Sequence, residues 1–186
     1  DVDAHVTTVL FNDQYKMLYN RRELKDVSKM TDKDYTPGGM TALLDAVGRT
    51  IHKMDMVSGI HRKDKGNKVL FVIITDGEEN DSREYTYADV KKLIKDRQEN
   101  AGWEFIFLGA NIDAVAAAEN LGIDRDRAVK YKNTGSGVRA NFKAVAELSD
   151  SLAKSGRVSD EWKETVEKDE DDAADKQSAA VTLHRR

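Results

Sequence analysis

Two residues of this chain have the type and the setting to hold a hard metal ion. Asp76 ends the run Val69-Leu-Phe-Val-Ile-Ile-Thr75-Asp76-Gly77, in which six consecutive apolar residues lead into Thr-Asp-Gly. Thr41 follows Pro37-Gly38-Gly39-Met40 and opens onto Ala42-Leu43-Leu44. A carboxylate and a hydroxyl are the oxygen donors that Mg²⁺, Mn²⁺ or Ca²⁺ takes, and Mg²⁺ in particular keeps several of its waters. Each residue also has a plainer reading. Asp-Gly is a common turn pair, and Thr41 suits a helix N-cap, a role compatible with ligation. Gly38 and Gly39 fit either a flexible turn or a close backbone approach, and both readings stay open. Glu78, Glu79 and Asp81 read as a solvated acidic loop, and Asn111 and Asp113 as the cap of a following helix.

Other chemistries lack their residues. Cysteine is absent, which excludes disulfides and thiolate metal sites. His5, His52, His61 and His184 show no ligand spacing, and Gly135-Ser-Gly137 matches no phosphate-binding glycine pattern. No Gly-x-Ser-x-Gly elbow offers a nucleophile. Asp1-Val-Asp3 precedes a strand instead of following one, so it is not a phosphatase pair. A net charge of −4 argues against a nucleic-acid partner. No apolar stretch reaches the roughly 18 residues of a membrane helix. No leader is visible, and with cysteine absent the expected location is cytoplasmic.

The elements that must position Thr41 and Asp76 follow from periodicity. Residues 1–20 read as a β-hairpin turning at Asn12-Asp13, with a polar second arm suited to a sheet edge. Residues 21–35 are loop-like, and Pro37 breaks the chain before a helix. Leu43, Leu44, Val47, Ile51 and Met54 recur at helical spacing. After a basic loop at 58–67, residues 69–75 form a strand buried on both faces, as in a parallel sheet. A helix from Tyr87 to Gln98 stops at Gly102, a strand spans Glu104 to Gly109, and an Ala-rich helix from Asp113 to Leu121 stops at Gly122. Ala128 to Tyr131 is a short strand and Gly135 to Gly137 a loop. A last long helix carries Val138, Phe142, Val145, Leu148 and Leu152 as one stripe. Val158, Trp162 and Val166 form a shorter stripe, with Trp162 a packing anchor, and the acidic run from Glu167 to Asp175 is expected to be solvated. Strand and helix alternate, which predicts an α/β fold. In open sheets of that class, ligands bind at the carboxyl ends of the strands.

Pro37-Gly-Gly-Met-Thr41-Ala-Leu-Leu-Asp-Ala46 and Ile73-Ile-Thr-Asp76-Gly77, with Gly109-Ala-Asn-Ile-Asp113, resemble the von Willebrand factor A (vWA) family, most closely its small stand-alone bacterial members. The resemblance runs from the opening hairpin to about Ala153. It implies a doubly wound, mostly parallel sheet with an antiparallel edge strand and helices on both faces. It also implies a vWA-like domain over residues 1–156 and an acidic extension over 157–186. In the family, three loops build a metal-ion-dependent adhesion site, so Thr41 and Asp76 become expected metal ligands. The expected function is protein binding through Mg²⁺ (or Mn²⁺ or Ca²⁺), with the partner donating an Asp or Glu. The family's Asp-x-Ser-x-Ser loop occurs nowhere in these 186 residues. The sheet is therefore expected to lack the strand between residues 2–11 and 69–75, leaving two unpaired edges. A metal-independent structural or assembly subunit is the alternative function, and a metal-dependent hydrolase ranks below both.

Overall fold

A computed structural model describes residues 4–31, 33–36, 38–56, 68–159 and 161–168. The basic loop at 58–67, Pro37, Asp1 to Asp3 and the acidic run beyond 168 lie outside the described residues. The elements are β1 (His5–Phe11), β2 (Tyr15–Glu23), α1 (Leu43–Asp55), β3 (Leu70–Thr75), α2 (Tyr87–Asp96), β4 (Glu104–Gly109), α3 (Ala114–Asn120), β5 (Ala128–Lys130), α4 (Gly135–Ser155) and α5 (162–168). They form a mixed α/β structure with two sheets: an antiparallel pair β1-β2 and a parallel sheet ordered β3-β4-β5. The expected single sheet is thus divided, and among the described residues neither β1 nor β3 has a neighbour on its second edge.

β4 is the centre of the core. Its side chains alternate between two faces. Phe105 and Phe107 pack with Leu44, Val47 and Ile51 of α1, Val90 and Ile94 of α2, and Ala118 of α3. Ile106 and Leu108 pack with Ala144 and Leu148 of α4 and with Val158, Trp162 and Val166. All four β4 side chains are completely buried. Their neighbours on β3 in register, Phe71 beside Phe105 and Val72 beside Ile106, are only partly buried.

Several boundaries differ from expectation for physical reasons. Gly135 to Gly137 is the first turn of α4, because the Thr134 side chain caps it by accepting from the Gly137 amide (3.1 Å). The buried face of α4 is Gly137, Asn141, Ala144, Leu148 and Leu152, while Val138 and Phe142 stay exposed. The predicted stripe is thus buried at its carboxyl end, Leu148 and Leu152, and exposed over its first two members. α2 gains a π turn (Arg97–Ala101) before Gly102 ends it in the left-handed conformation. Among the described residues, no helix is long and apolar enough to cross a membrane.

The amino end of α1 is held by a segment far along the chain. Asp45, in its first turn and buried, accepts backbone N–H bonds from Arg83 (3.0 Å), Glu84 (2.9 Å) and Tyr85 (3.0 Å). Burial works to raise its pKa, but the three amides prevail and hold it below the ordinary carboxylate value. A depressed carboxylate contributes stability that is present above its unfolded pKa and lost as pH falls through the folded one. Asp45→Asn is therefore expected to lower unfolding free energy near pH 7 by roughly 2–4 kcal/mol. Urea unfolding should show the gap to the parent chain narrowing as pH falls below the carboxylate range; a constant gap sinks the assignment. Gly48 lies under the Tyr85 ring, where an added Cβ would come within 2.5 Å of Cδ1. Gly48→Ala should therefore cost about 1–2 kcal/mol despite alanine's better helix propensity, and a raised melting temperature would refute that.

Candidate functional site

The site is assembled by loop 76–86 and the start of α1. The Thr41 amide donates to Asn80 Oδ1 (2.8 Å), and the Thr41 carbonyl accepts from the Asn80 and Asp81 amides (3.0 and 3.3 Å). Thr41 is not the N-cap of α1; Ala42 holds that position and makes no side-chain cap. The free amides of the first turn are satisfied from across the chain instead: Leu44 donates to Glu79 Oε2 (3.0 Å) and Asp45 to Ser82 Oγ (3.1 Å). Glu79 is thus a structural residue and not a solvated one. It also accepts from the amides of Asp81 (3.1 Å) and Ser82 (2.8 Å) and from the Ser82 hydroxyl (2.8 Å). Its carboxylate at a helix amino terminus is favoured by the helix dipole as well.

Relieved of capping, the Thr41 hydroxyl is turned to the end of β3. Its Oγ1 lies 3.1 Å from where a Cβ on Gly77 would sit, and no hydrogen-bonding partner meets it among the described residues. Asp76 precedes Gly77 and is exposed; its Oδ2 accepts from Asn133 Nδ2 (3.1 Å), a side chain in the loop after β5. The structure therefore brings Thr41 to the residue beside Asp76. The Asn133 contact spans 57 positions, and nothing in the sequence signals it. Thr75 shapes the turn: its hydroxyl donates to the Gly77 carbonyl (3.0 Å).

The remaining expected residues divide. Gly39 has φ +89°, and a Cβ there would lie 2.5 Å from Asp13 Oδ1 and 2.8 Å from Asn12 Nδ2. Its close approach is to the tip of the hairpin, which is further fastened by Asn12 Nδ2 donating to Gly38 O (2.9 Å). Asp113 caps α3 by accepting from the Ala116 amide (3.0 Å), as expected. Asn111 takes a left-handed φ of +58° and, with Glu78, Asp113 and Lys130, lines an open cleft of about 610 Å³. A smaller cleft of about 270 Å³ lies between the hairpin tip and α1, walled by Asp13, Arg49, Asp81 and Arg83. Among the described residues, no three His, Asp or Glu side chains gather where they could hold a metal.

Tyr131 reports on the charge of this edge. Its pKa is pushed up to about 12, first by burial and then by the negative charges of Asp76 and Tyr35. No protein-family model, curated protein or solved structure matches this chain.

A raised tyrosine pKa favours the neutral form in the fold, so its contribution is complete below the unfolded value near 10 and is lost as pH climbs toward 12. Ultraviolet titration of the folded chain should show one tyrosine ionising near that upper value. Asp76→Asn should move this transition to lower pH, because one of the charges opposing it is gone. An unmoved transition would show that Asp76 does not act on Tyr131.

Proposed function

We propose that Thr41 and Asp76 hold a divalent cation at the carboxyl edge of β3 and that a protein partner completes its shell with an Asp or Glu. The observation that carries this reading is the Thr41 hydroxyl, which meets no hydrogen-bonding partner among the described residues and lies close to Gly77, the residue after the exposed Asp76. The donor set fits a hard cation in kind, since both groups are oxygens and one is charged. In number it is sparse, and sparseness suits Mg²⁺, which is commonly held by one or two carboxylates plus waters and a ligand from elsewhere. When bound, the ion would act as a bridge of positive charge between Asp76 and the incoming carboxylate. Asp76 supplies the charge, Thr41 a neutral oxygen, and Asn133 orients Asp76 through Oδ2. This is a binding site without a placed nucleophile or general base, which is why catalysis is not part of the reading.

A second reading is a metal-independent assembly subunit. It is supported by the lack, among the described residues, of any cluster of three acidic or histidine side chains.

Titrating the chain with Mn²⁺ under electron paramagnetic resonance separates the two. The metal reading expects saturable binding that Asp76→Ala weakens by roughly tenfold or more, that Thr41→Ala weakens less, and that excess Mg²⁺ displaces. No saturable Mn²⁺ binding, or binding unchanged in Asp76→Ala, overturns it in favour of the metal-independent subunit.

A further inference from the structure

The cleft between the hairpin tip and α1 carries charges that do not balance. Two arginines and four carboxylates line it. Arg49 is taken by Glu84 in a bidentate pair (2.7 and 2.6 Å), and Arg83 by Asp81 (3.1 Å). Asp13 and Asp45 remain, and neither is ion-paired among the described residues. Asp45 is 6% exposed, so its carboxylate sits at the inner end of the cleft beside the buried Ala42 and Ala46 and the half-buried Phe11. Buried charges are as a rule paired. Within hydrogen-bonding distance this one is met by backbone amides alone.

A carboxylate has about four acceptor positions. The Glu84 and Tyr85 amides fill two on Asp45 Oδ1, and the Arg83 amide fills one on Oδ2. One position on Oδ2 is left. Asp13 supplies a second carboxylate from the hairpin tip, and the backbone around it is already fixed. The Ala42 amide donates to the Asn12 carbonyl (2.9 Å), Asn12 Nδ2 to the Gly38 carbonyl (2.9 Å), and the Gln14 amide to Asn12 Oδ1 (2.7 Å). Such preorganisation lowers the ordering cost of binding. Tyr15 forms a fixed wall, with its hydroxyl hydrogen-bonded to Thr50 Oγ1 (3.1 Å). Its ring already has Lys53 Nζ at 4.5 Å and the Arg49 guanidinium at 5.9 Å. The ring therefore has cations of its own, and the two carboxylates are what is left to select a ligand.

We propose that this cleft of about 270 Å³ binds the guanidinium group of an alkylguanidine or of an arginine side chain. Two carboxylates that no cation balances favour a cationic ligand. They come from two elements, hairpin and helix, which suits a planar group with five N–H donors in a fixed fork. Guanidinium is also more weakly hydrated than ammonium, so it loses less on entering a partly buried site. The apolar surfaces of Phe11, Ala42 and Ala46 take the alkyl stem. Neither Thr41 nor Asp76 lines the cleft, so the site operates whether or not those two hold a metal.

The test is a titration of the 186-residue chain with n-butylguanidinium in EDTA, followed by amide chemical shifts. Saturable shifts are expected at 13–15, 45–49 and 81–85, with 104–109 unmoved. Asp13→Asn should weaken binding roughly threefold or more and leave the shifts of 104–109 as in the parent, which shows the fold intact. Tetramethylammonium carries the same charge without N–H donors and should bind more weakly. No saturable binding, equal binding of tetramethylammonium, or unchanged binding in Asp13→Asn overturns the proposal. Nα-acetyl-arginine methylamide separates the two sources of the ligand. Binding as tight as that of n-butylguanidinium assigns the site to arginine in a polypeptide, and binding of n-butylguanidinium alone assigns it to a free alkylguanidine; both results support the site. Because EDTA is present throughout, failure here leaves the metal reading standing, and the reverse also holds.

Discussion

The exchange of capping between loop 76–86 and the first turn of α1 is the constraint on which this structure depends. Helix α1 begins without a side-chain cap of its own. Glu79, Ser82 and Asp45 satisfy, in both directions, amides that would otherwise be buried and unpaired. That lattice ties the end of β3 to the start of α1 across nearly forty residues of sequence. It also frees Thr41 from the capping role its position suggests. A hydroxyl spent on a cap has one fewer lone pair directed elsewhere; here the capping is done by others, and the hydroxyl meets Gly77. The bidentate pair Arg49–Glu84 (2.7 and 2.6 Å) and the Tyr85 ring over Gly48 extend the same contact along the helix. The ion pair is largely exposed and contributes less than the buried amide bonds to Asp45.

A second constraint is the interrupted hydrogen-bonding of the sheets. β4, paired on both sides, has four apolar side chains, Phe105 to Leu108, that are wholly excluded from water. β3, paired on one side among the described residues, is equally apolar, yet Leu70, Phe71, Val72 and Ile74 are only partly buried. Identical chemistry in adjacent strands reaches different burial because burial in a layered fold needs a neighbour in the plane as well as helices above and below. Val138 and Phe142 have a spacing on α4 that suits a buried stripe, yet both stay exposed.

The candidate site rests on oxygen donors and on the field of Asp76, whose influence reaches the buried Tyr131 hydroxyl. The proposed cation would be held there by electrostatic attraction, which salt screens.

Local sequence determined the elements. Consecutive apolar residues in 69–75 and 104–109, helical spacing from Leu43 to Met54, and glycines at 102 and 122 correspond to β3, β4, α1 and the ends of two helices. Each of these rests on neighbours within a few residues, where sterics and periodicity act. Asp113 as a cap and Trp162 as an anchor were legible for the same reason. Tertiary structure decided the rest. Glu79 in an acidic run is indistinguishable by sequence from a solvated residue; only the arrival of α1's amides makes it structural. Asn133 becomes Asp76's partner because β5 places its loop there, 57 residues away. Which face of α4 is buried, with Phe142 outside and Asn141 inside, is set by what the helix packs against and not by its apolar spacing. Contacts between distant segments carry no local signature, because the groups involved are ordinary until the fold removes water from between them.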